Sequence, residues 1–140
     1  MARFDGFYSE WAPRVRSILR IVAGFLFLVH GTQKLFNAPP GQGGGPVPLM
    51  SLMGFAGVLE LVGGALLILG LATRPVAFIL AGEMAVAYFV AHLPSHFLPI
   101  VNRGEPAVLF CFIFLYLAVA GGGSWSVDRA IGWDRPGAPI

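Results

Sequence analysis

Apolar residues dominate four stretches of the chain, and each stretch approaches the length of a membrane-crossing helix. They run over about 17–36, 51–71, 75–93 and 106–120. A transmembrane helix needs about 20 mostly apolar residues to cross the hydrocarbon core of a bilayer. The fourth stretch is the shortest, but it contains no charged side chain. The pattern therefore predicts an all-α integral membrane protein built as a four-helix bundle.

The segments between these stretches are rich in residues that interrupt helices. A Pro/Gly loop occupies 37–48, a tight turn at 72–75 ends in a proline, and the segment 94–105 contains two prolines. Three consecutive glycines at 121–123 end the last stretch. These breaks predict three parts: an N-terminal segment 1–16, a four-helix domain 17–123, and a cytoplasmic tail 124–140.

The N-terminal segment has its own periodicity. Large apolar side chains recur at the i, i+3, i+4, i+7 spacing of one helical face: Phe4, Phe7, Tyr8, Trp11 and Val15. This pattern is typical of a short amphipathic helix in the membrane interface, whose length Pro13 would limit. A flexible arm with scattered aromatic residues is the alternative. In the tail, Trp125 and Trp133 lie near arginines and are consistent with an interfacial anchor.

Composition excludes several classes of protein. Hydrophobic residues make up 56% of the chain and charged residues only 11%, against about 25% charged in soluble domains. No run of Lys and Arg points to nucleic acid. Cys111 is the sole cysteine, so an internal disulfide and a paired-thiol relay enzyme are both excluded.

The distribution of positive charge predicts the orientation, because cytoplasmic loops carry an excess of Lys and Arg. Seven of these residues belong to one side of the predicted membrane: Arg3, Arg14, Arg16, Arg20, Arg74, Arg129 and Arg135. Only Lys34 and Arg103 belong to the other side. We therefore expect a multi-pass protein with both termini on the cytoplasmic side of the membrane.

Five ionisable residues fall within the predicted spans: Arg20, His30, Lys34, Glu60 and Glu83. Such residues cost at least ~2.5–3.5 kcal/mol each at the centre of a span and are therefore candidates for function. Each also has a structural interpretation. Arg20 and Lys34 lie near helix ends, from which they could reach water, and the carboxyl and imidazole groups could serve packing alone.

Helical geometry places several of these groups together. His30 and Lys34 share a face of the first helix, and Glu60 shares its face with Gly57 and Gly64. Small residues allow close helix packing in lipid, so we expect Glu60 to face the interior, near the first helix. At 1.5 Å per residue, Glu60 and Glu83 lie about 13 and 15 Å from the outer surface, and His30 about 9 Å.

The loop before the fourth helix reaches the same surface. Its polar residues include Asn102, Arg103 and Glu105. We therefore predict a polar pocket that opens outward. Its candidate residues are His30, Lys34, Glu60, Glu83, Asn102, Arg103 and Glu105.

No metal or haem site is evident in the sequence. A haem with two histidine ligands needs them at matched depth on facing helices. Uniform helical geometry places His92 at the outer end of its helix, on the side opposite Glu83, and His96 falls in the loop. No close-spaced ligand pair predicts a metal site.

The ordered set of motifs resembles the DoxX family of small four-helix membrane proteins. HGTQKLF at 30–36 and GFAGVLELVGGALLILGLATR at 54–74 carry the resemblance. NRGEPAVLFCFIFLYLA at 102–118 and SWSVD at 124–128 continue it. By position, His30, Lys34, Glu60, Asn102, Arg103, Glu105 and Asp128 match the polar positions of the family. Glu83 matches that pattern less clearly.

The resemblance implies a location in the bacterial cytoplasmic (inner) membrane and a role in membrane redox chemistry. Some members look like subunits of thiosulfate:quinone oxidoreductase, and others associate with redox-defence enzymes. No catalytic motif is recognisable here, so we expect an accessory or anchoring subunit without catalysis of its own, with a quinone or small-molecule pocket. The alternatives are a purely structural subunit of a larger complex and a small transporter. Expected partners are the lipid bilayer and other membrane subunits or further copies of this chain.

The predicted topology has a direct test. Cysteines introduced at Gly43 and at Ala138 should react with impermeant reagents from opposite sides of the membrane, because one position lies in the outer loop and the other in the tail. Equal labelling from outside would contradict the orientation.

Overall fold

The computed structural model describes residues 2–41 and 45–134, with side chains described from residue 6 onward. Over these residues the chain is all-helical, as predicted. Three positions used in the topology argument, Gly43, Arg135 and Ala138, lie outside the described residues. The side chains of Arg3 and Phe4 are also not described.

Four long helices correspond to the four apolar stretches, one short helix lies in the loop before the last of them, and a second short helix follows it. The bounds are α1 Ala2–Phe36, α2 Leu52–Leu69, α3 Thr73–Ala87, α4 Pro99–Asn102, α5 Glu105–Ala120 and α6 Val127–Ala130. A π-helical turn, Tyr88–His92, continues α3 without a break. The two short helices were not predicted from the sequence, since four residues are too few for a periodic pattern.

Helix α1 runs through the predicted boundary at residue 16. It is one helix of 35 residues with Pro13 inside it, so the proline does not end the N-terminal segment. At 1.5 Å per residue this helix is about 52 Å long, which exceeds the ~30 Å of a hydrocarbon core. Its first turns, including Phe7, Tyr8 and Trp11, are exposed. Their location in the membrane interface remains a prediction.

Within the described part of the chain, two helical segments are long and apolar enough to cross a membrane: α2, and α3 together with its π-helical continuation. Helix α5 is apolar but shorter, at 16 residues. Large apolar side chains such as Phe78, Phe112 and Val119 are exposed on these helices. Exposing such a surface to water is unfavourable, whereas contact with lipid chains is favourable.

The long helices form two hairpins. Helix α1 packs along α2, and α3 packs along α5. The contacts between the hairpins are fewer, mainly between α2 and α3, with a small set between α1 and α5. We call the end where α1 finishes and α2 begins the outer end, and the opposite end the inner end.

Glycines set the spacing of the first hairpin. A β-carbon at Gly64 would lie 2.6 Å from the backbone nitrogen of Leu28 and 2.7 Å from the carbonyl oxygen of Gly24. One heptad further along, a β-carbon at Gly31 would lie 2.8 Å from the carbonyl oxygen of Gly57. All three distances are shorter than real β-carbons permit, so α1 and α2 approach closely because these positions carry no side chain.

Arg20 ties the inner end together. Its guanidinium donates to the carbonyl oxygens of Leu67 and Ile68 at the end of α2, and to those of Gly122 and Trp125 beyond α5. Its side chain is 0% exposed. The expectation that Arg20 reaches water is therefore wrong. The last carbonyls of a helix lack partners within it, and the guanidinium meets that need inside the protein.

Asp128 holds the start of α3 from the same side. Its carboxylate accepts hydrogen bonds from the backbone nitrogens of Ala72 and Thr73, both at 2.7 Å. A carboxylate at this position satisfies free N–H groups and favours the positive end of the helix dipole. The residues after α5 thus pack beneath both hairpins, and the tail begins as part of the folded domain.

Substitution of the hairpin glycines tests this packing. Gly31→Ala and Gly64→Ala should each lower the free energy of unfolding by about 1–3 kcal/mol, because the added methyl forces α1 and α2 apart. Gly82→Ala is the matched control, since a β-carbon there meets nothing within 4 Å. Thermal or denaturant unfolding in detergent measures the difference. Equal stability of Gly64→Ala and Gly82→Ala would contradict the close approach.

Candidate functional site

The two hairpins part at the outer end and enclose a cavity of about 490 Å³. All four long helices and the π-helical turn contribute to its wall. Most of the lining is apolar, from side chains such as Met53, Leu59, Ile79, Met84 and Phe110. Five ionisable side chains interrupt this apolar wall: His30, Lys34, Glu60, Glu83 and His92.

Lys34 and Glu60 form an ion pair at the wall of the cavity. The ammonium nitrogen of Lys34 lies 2.5 Å from Oε1 of Glu60. Glu60 is only 2% exposed, which confirms that it faces the interior within reach of the first helix. The glycine packing explains the pairing, because a β-carbon at Gly57 would lie 3.1 Å from Cβ of Lys34. The lysine therefore passes over Gly57 and meets the carboxylate one helical turn further along α2.

Glu83 of α3 lines the same cavity as Lys34 and Glu60. Both of its carboxyl oxygens are buried, and neither has a hydrogen-bond partner among the described residues. Oε2 of Glu60 is also buried and has no hydrogen-bond partner among the described residues. Ile79, Val86 and Val90, which share a helical face with Glu83, also line the cavity. Buried carboxyl oxygens without donors are costly, and they make this wall of the cavity chemically distinctive.

His30 lies one turn before Lys34 on α1. It lines the cavity but is largely exposed. Its ring is edge-on to Phe110 of α5, with the ring centroids 6.5 Å apart. Phe110 in turn packs on Phe27 and Phe114, both fully buried. His30 therefore stands at the edge of an aromatic cluster that closes the cavity toward the inner end.

His92 also lines the cavity, together with Glu83. The expectation that these two residues lie on opposite sides of their helix is wrong. That expectation assumed α-helical geometry throughout, but residues 88–92 form a π-helical turn, which has more residues per turn. Nδ1 of His92 lies 3.0 Å from the carbonyl oxygen of Asn102. No sequence pattern marks this turn, so His92 was missed as a site residue.

The predicted polar residues of the outer loop do not line the cavity, in contrast to His30 and Glu60. Asn102 is buried and organises the loop, donating to the carbonyl oxygen of His96 at 2.6 Å and accepting from the backbone nitrogen of Gly104 at 2.7 Å. Arg103 and Glu105 are exposed, and neither lines the cavity. Glu105 borders a separate apolar groove between α1 and α5. The structure therefore brings four of the seven predicted site residues together.

Within residues 2–41 and 45–134, no group of three or more His, Cys, Asp or Glu side chains is placed to hold a metal ion. Cys111 is a free thiol on α5. The chemistry that the cavity itself offers is ionic and hydrogen-bonding, from one lysine, two carboxyls and two imidazoles against apolar walls.

Three proteins are similar to this chain over most of its length. An uncharacterized protein of Haemophilus influenzae is 42% identical over 86% of this chain and 93% of its own. A Bacillus subtilis protein named "Putative oxidoreductase CatD" is 32% identical over 79% of this chain and 82% of its own. An uncharacterized membrane protein of Mycobacterium tuberculosis is 33% identical, over 89% and 85%.

No solved structure matches the chain significantly. The sequence model of the DoxX family matches residues 15–93. This range begins within α1 and ends just after the π-helical turn, so it includes Lys34, Glu60 and Glu83. The match covers more than half of the chain, and the relatives extend it. The protein is therefore a member of the DoxX family of membrane proteins.

Proposed function

We propose that this protein is a subunit of a bacterial membrane redox complex, and that its outer cavity binds an apolar ligand of the quinone type. The observation that carries the proposal is the cavity itself, with the Lys34–Glu60 ion pair in its wall. The name of the Bacillus subtilis relative, an oxidoreductase, supports the redox assignment. The chain would hold the ligand, while a partner subunit would exchange electrons with it.

The proposed topology has α1, α2, α3 and α5 as four spans of a bundle in the inner membrane, with both termini in the cytoplasm. The arginines support it, because the fold gathers them at the inner end. Arg16 donates to the carbonyl oxygen of Ala120, and Arg74 donates to that of Val119 and pairs with Asp134 at 3.0 Å. Positive charge concentrated at one end is typical of the cytoplasmic side.

The dimensions and lining of the cavity favour a quinone-type ligand. Ligand cavities typically measure about 300–1,000 Å³ and combine apolar walls with a few polar groups. A quinone ring has the same character, with two carbonyl oxygens on an apolar body. Lys34 has three N–H donors, and Glu60 is its one recorded hydrogen-bond partner among the described residues. Its ammonium can therefore also donate to a ligand carbonyl.

The open side of the cavity gives such a ligand a route from the membrane. Its lining includes the apolar side chains of Phe55, Ile79 and Val86, which are also exposed on the outer surface of the helices. An isoprenoid tail needs an apolar surface of this kind. In this arrangement the ring would lie beside Lys34, and the tail would extend toward lipid.

Filling the cavity tests the proposal. A β-carbon at Gly82 meets no atom within 4 Å, and Gly82 lines the cavity. Gly82→Phe should therefore fold normally but occupy the ligand space. It should weaken binding of a short-chain ubiquinone analogue by about tenfold or more, equivalent to about 1.4 kcal/mol. Titration of the purified protein in lipid nanodiscs measures the affinity.

The matched control is Val119→Phe, which adds the same ring at an exposed position outside the cavity. It should bind the analogue as the wild type does. Equal affinities of the Gly82→Phe and Val119→Phe variants would contradict binding in this cavity. Absence of binding to the wild type, with partner subunits still retained after mild extraction, would favour the purely structural role.

A further inference from the structure

We propose that Lys34, Glu60 and Glu83 form a proton-binding triad, which holds one proton on Glu83 when no ligand is present. The use of this proton by a ligand rests on the proposed function, whereas the proton itself does not. The triad lies at the wall of the cavity and joins α1, α2 and α3.

The count of charges is the first argument. Two carboxyls and one ammonium line the cavity, and the ammonium is paired with Glu60 at 2.5 Å. That pair is neutral as a unit. An ionised Glu83 would add a second negative charge in the same buried region, with neither of its oxygens accepting a hydrogen bond from a described residue. A like charge nearby and the loss of water both disfavour the ionised carboxyl.

Apart from Lys34, no cation among the described residues is fixed against Glu83. Helix α1 contributes His30 and Lys34 to the cavity, and α2 contributes Glu60. At the end of α3, His92 directs Nδ1 to the carbonyl oxygen of Asn102. Helix α5 contributes no titratable side chain, since its lining residues are Pro106, Ala107 and Phe110. A proton is therefore the simplest partner for Glu83.

Protonation changes what the cavity offers to a ligand. An ionised carboxylate only accepts hydrogen bonds, whereas a protonated carboxyl also has one O–H donor. With Glu83 protonated and Lys34 cationic, two donors belong to the cavity wall on different helices. A ligand with carbonyl oxygens on an apolar body would find a donor for each. The triad would thereby select for acceptor-bearing ligands.

Infrared spectroscopy of the ligand-free protein in lipid tests the triad directly. A protonated carboxyl absorbs at a higher C=O stretching frequency than a carboxylate, and its band shifts on exchange into D₂O. We expect one such buried carboxyl per molecule in the wild type at neutral pH. Glu83→Gln should abolish the band. Glu105→Gln should retain it, because Glu105 is exposed and lies outside the cavity.

A second variant distinguishes a triad from a single protonated glutamate whose protonation does not depend on Lys34 and Glu60. Lys34→Met removes the cation from Glu60 and should give two protonated carboxyls per molecule instead of one. Where Lys34→Met does not fold, Glu60→Gln replaces it. That variant frees the ammonium to pair with Glu83, so the band should disappear although Glu83 is intact.

Three results would overturn the proposal. A wild-type protein without the band would show Glu83 to be ionised, and an unchanged band in Glu83→Gln would place the proton elsewhere. A band that appears only after sodium is removed would show that a metal cation, not a proton, neutralises the site. Because the spectra need no ligand, they fail or succeed independently of the quinone titration with Gly82→Phe.

Discussion

The buried guanidinium of Arg20 is the interaction on which the rest of the structure depends. It satisfies carbonyl oxygens at the end of α2 and in the segment after α5, so one side chain joins the first hairpin to the end of the second. A guanidinium that is buried away from water needs hydrogen-bond acceptors for its N–H groups, and these carbonyl oxygens supply them. Because the inner end is fixed in this way, with Asp128 holding α3 from the same side, the hairpins need little contact elsewhere. The two hairpins can therefore diverge at the outer end while they stay joined at the inner end.

The glycine contacts determine the chemistry of the space that opens there. Close approach at Gly31 and Gly57 brings α1 against α2 and lays Lys34 across the helix to Glu60. Glu83 comes from the other hairpin, and no described residue is its hydrogen-bond partner. The charge imbalance of the cavity therefore follows from the architecture: one hairpin supplies a complete ion pair, and the second adds an extra carboxyl. Residues that serve only the fold are seldom left unsatisfied in this way.

Hydrophobic periodicity was sufficient for the long helices and for the interior position of Glu60, because small residues on one face specify where a neighbour can approach. Hydrophobic periodicity did not predict three features. Arg20 lies close to a helix end in sequence, and only tertiary contacts bury it. His92 lines the cavity because residues 88–92 form a π-helical turn, which no sequence pattern predicts. Arg103 lies in the loop with a left-handed backbone, φ 60°, and its exposed side chain does not join His30 at the cavity. Loop conformation is not periodic, so sequence spacing could not predict it.

In the proposed function, the outer cavity holds an apolar molecule and is not merely a packing defect. Native mass spectrometry of the protein released gently from bacterial membranes tests this most directly, since bound lipid, quinone and partner subunits are retained together. We expect a population that carries one apolar molecule of quinone type per chain, with Gly82→Phe released from the same membranes without it. A wild-type protein that carries no such molecule, or a Gly82→Phe variant that carries the same one at the same occupancy, would contradict the proposal.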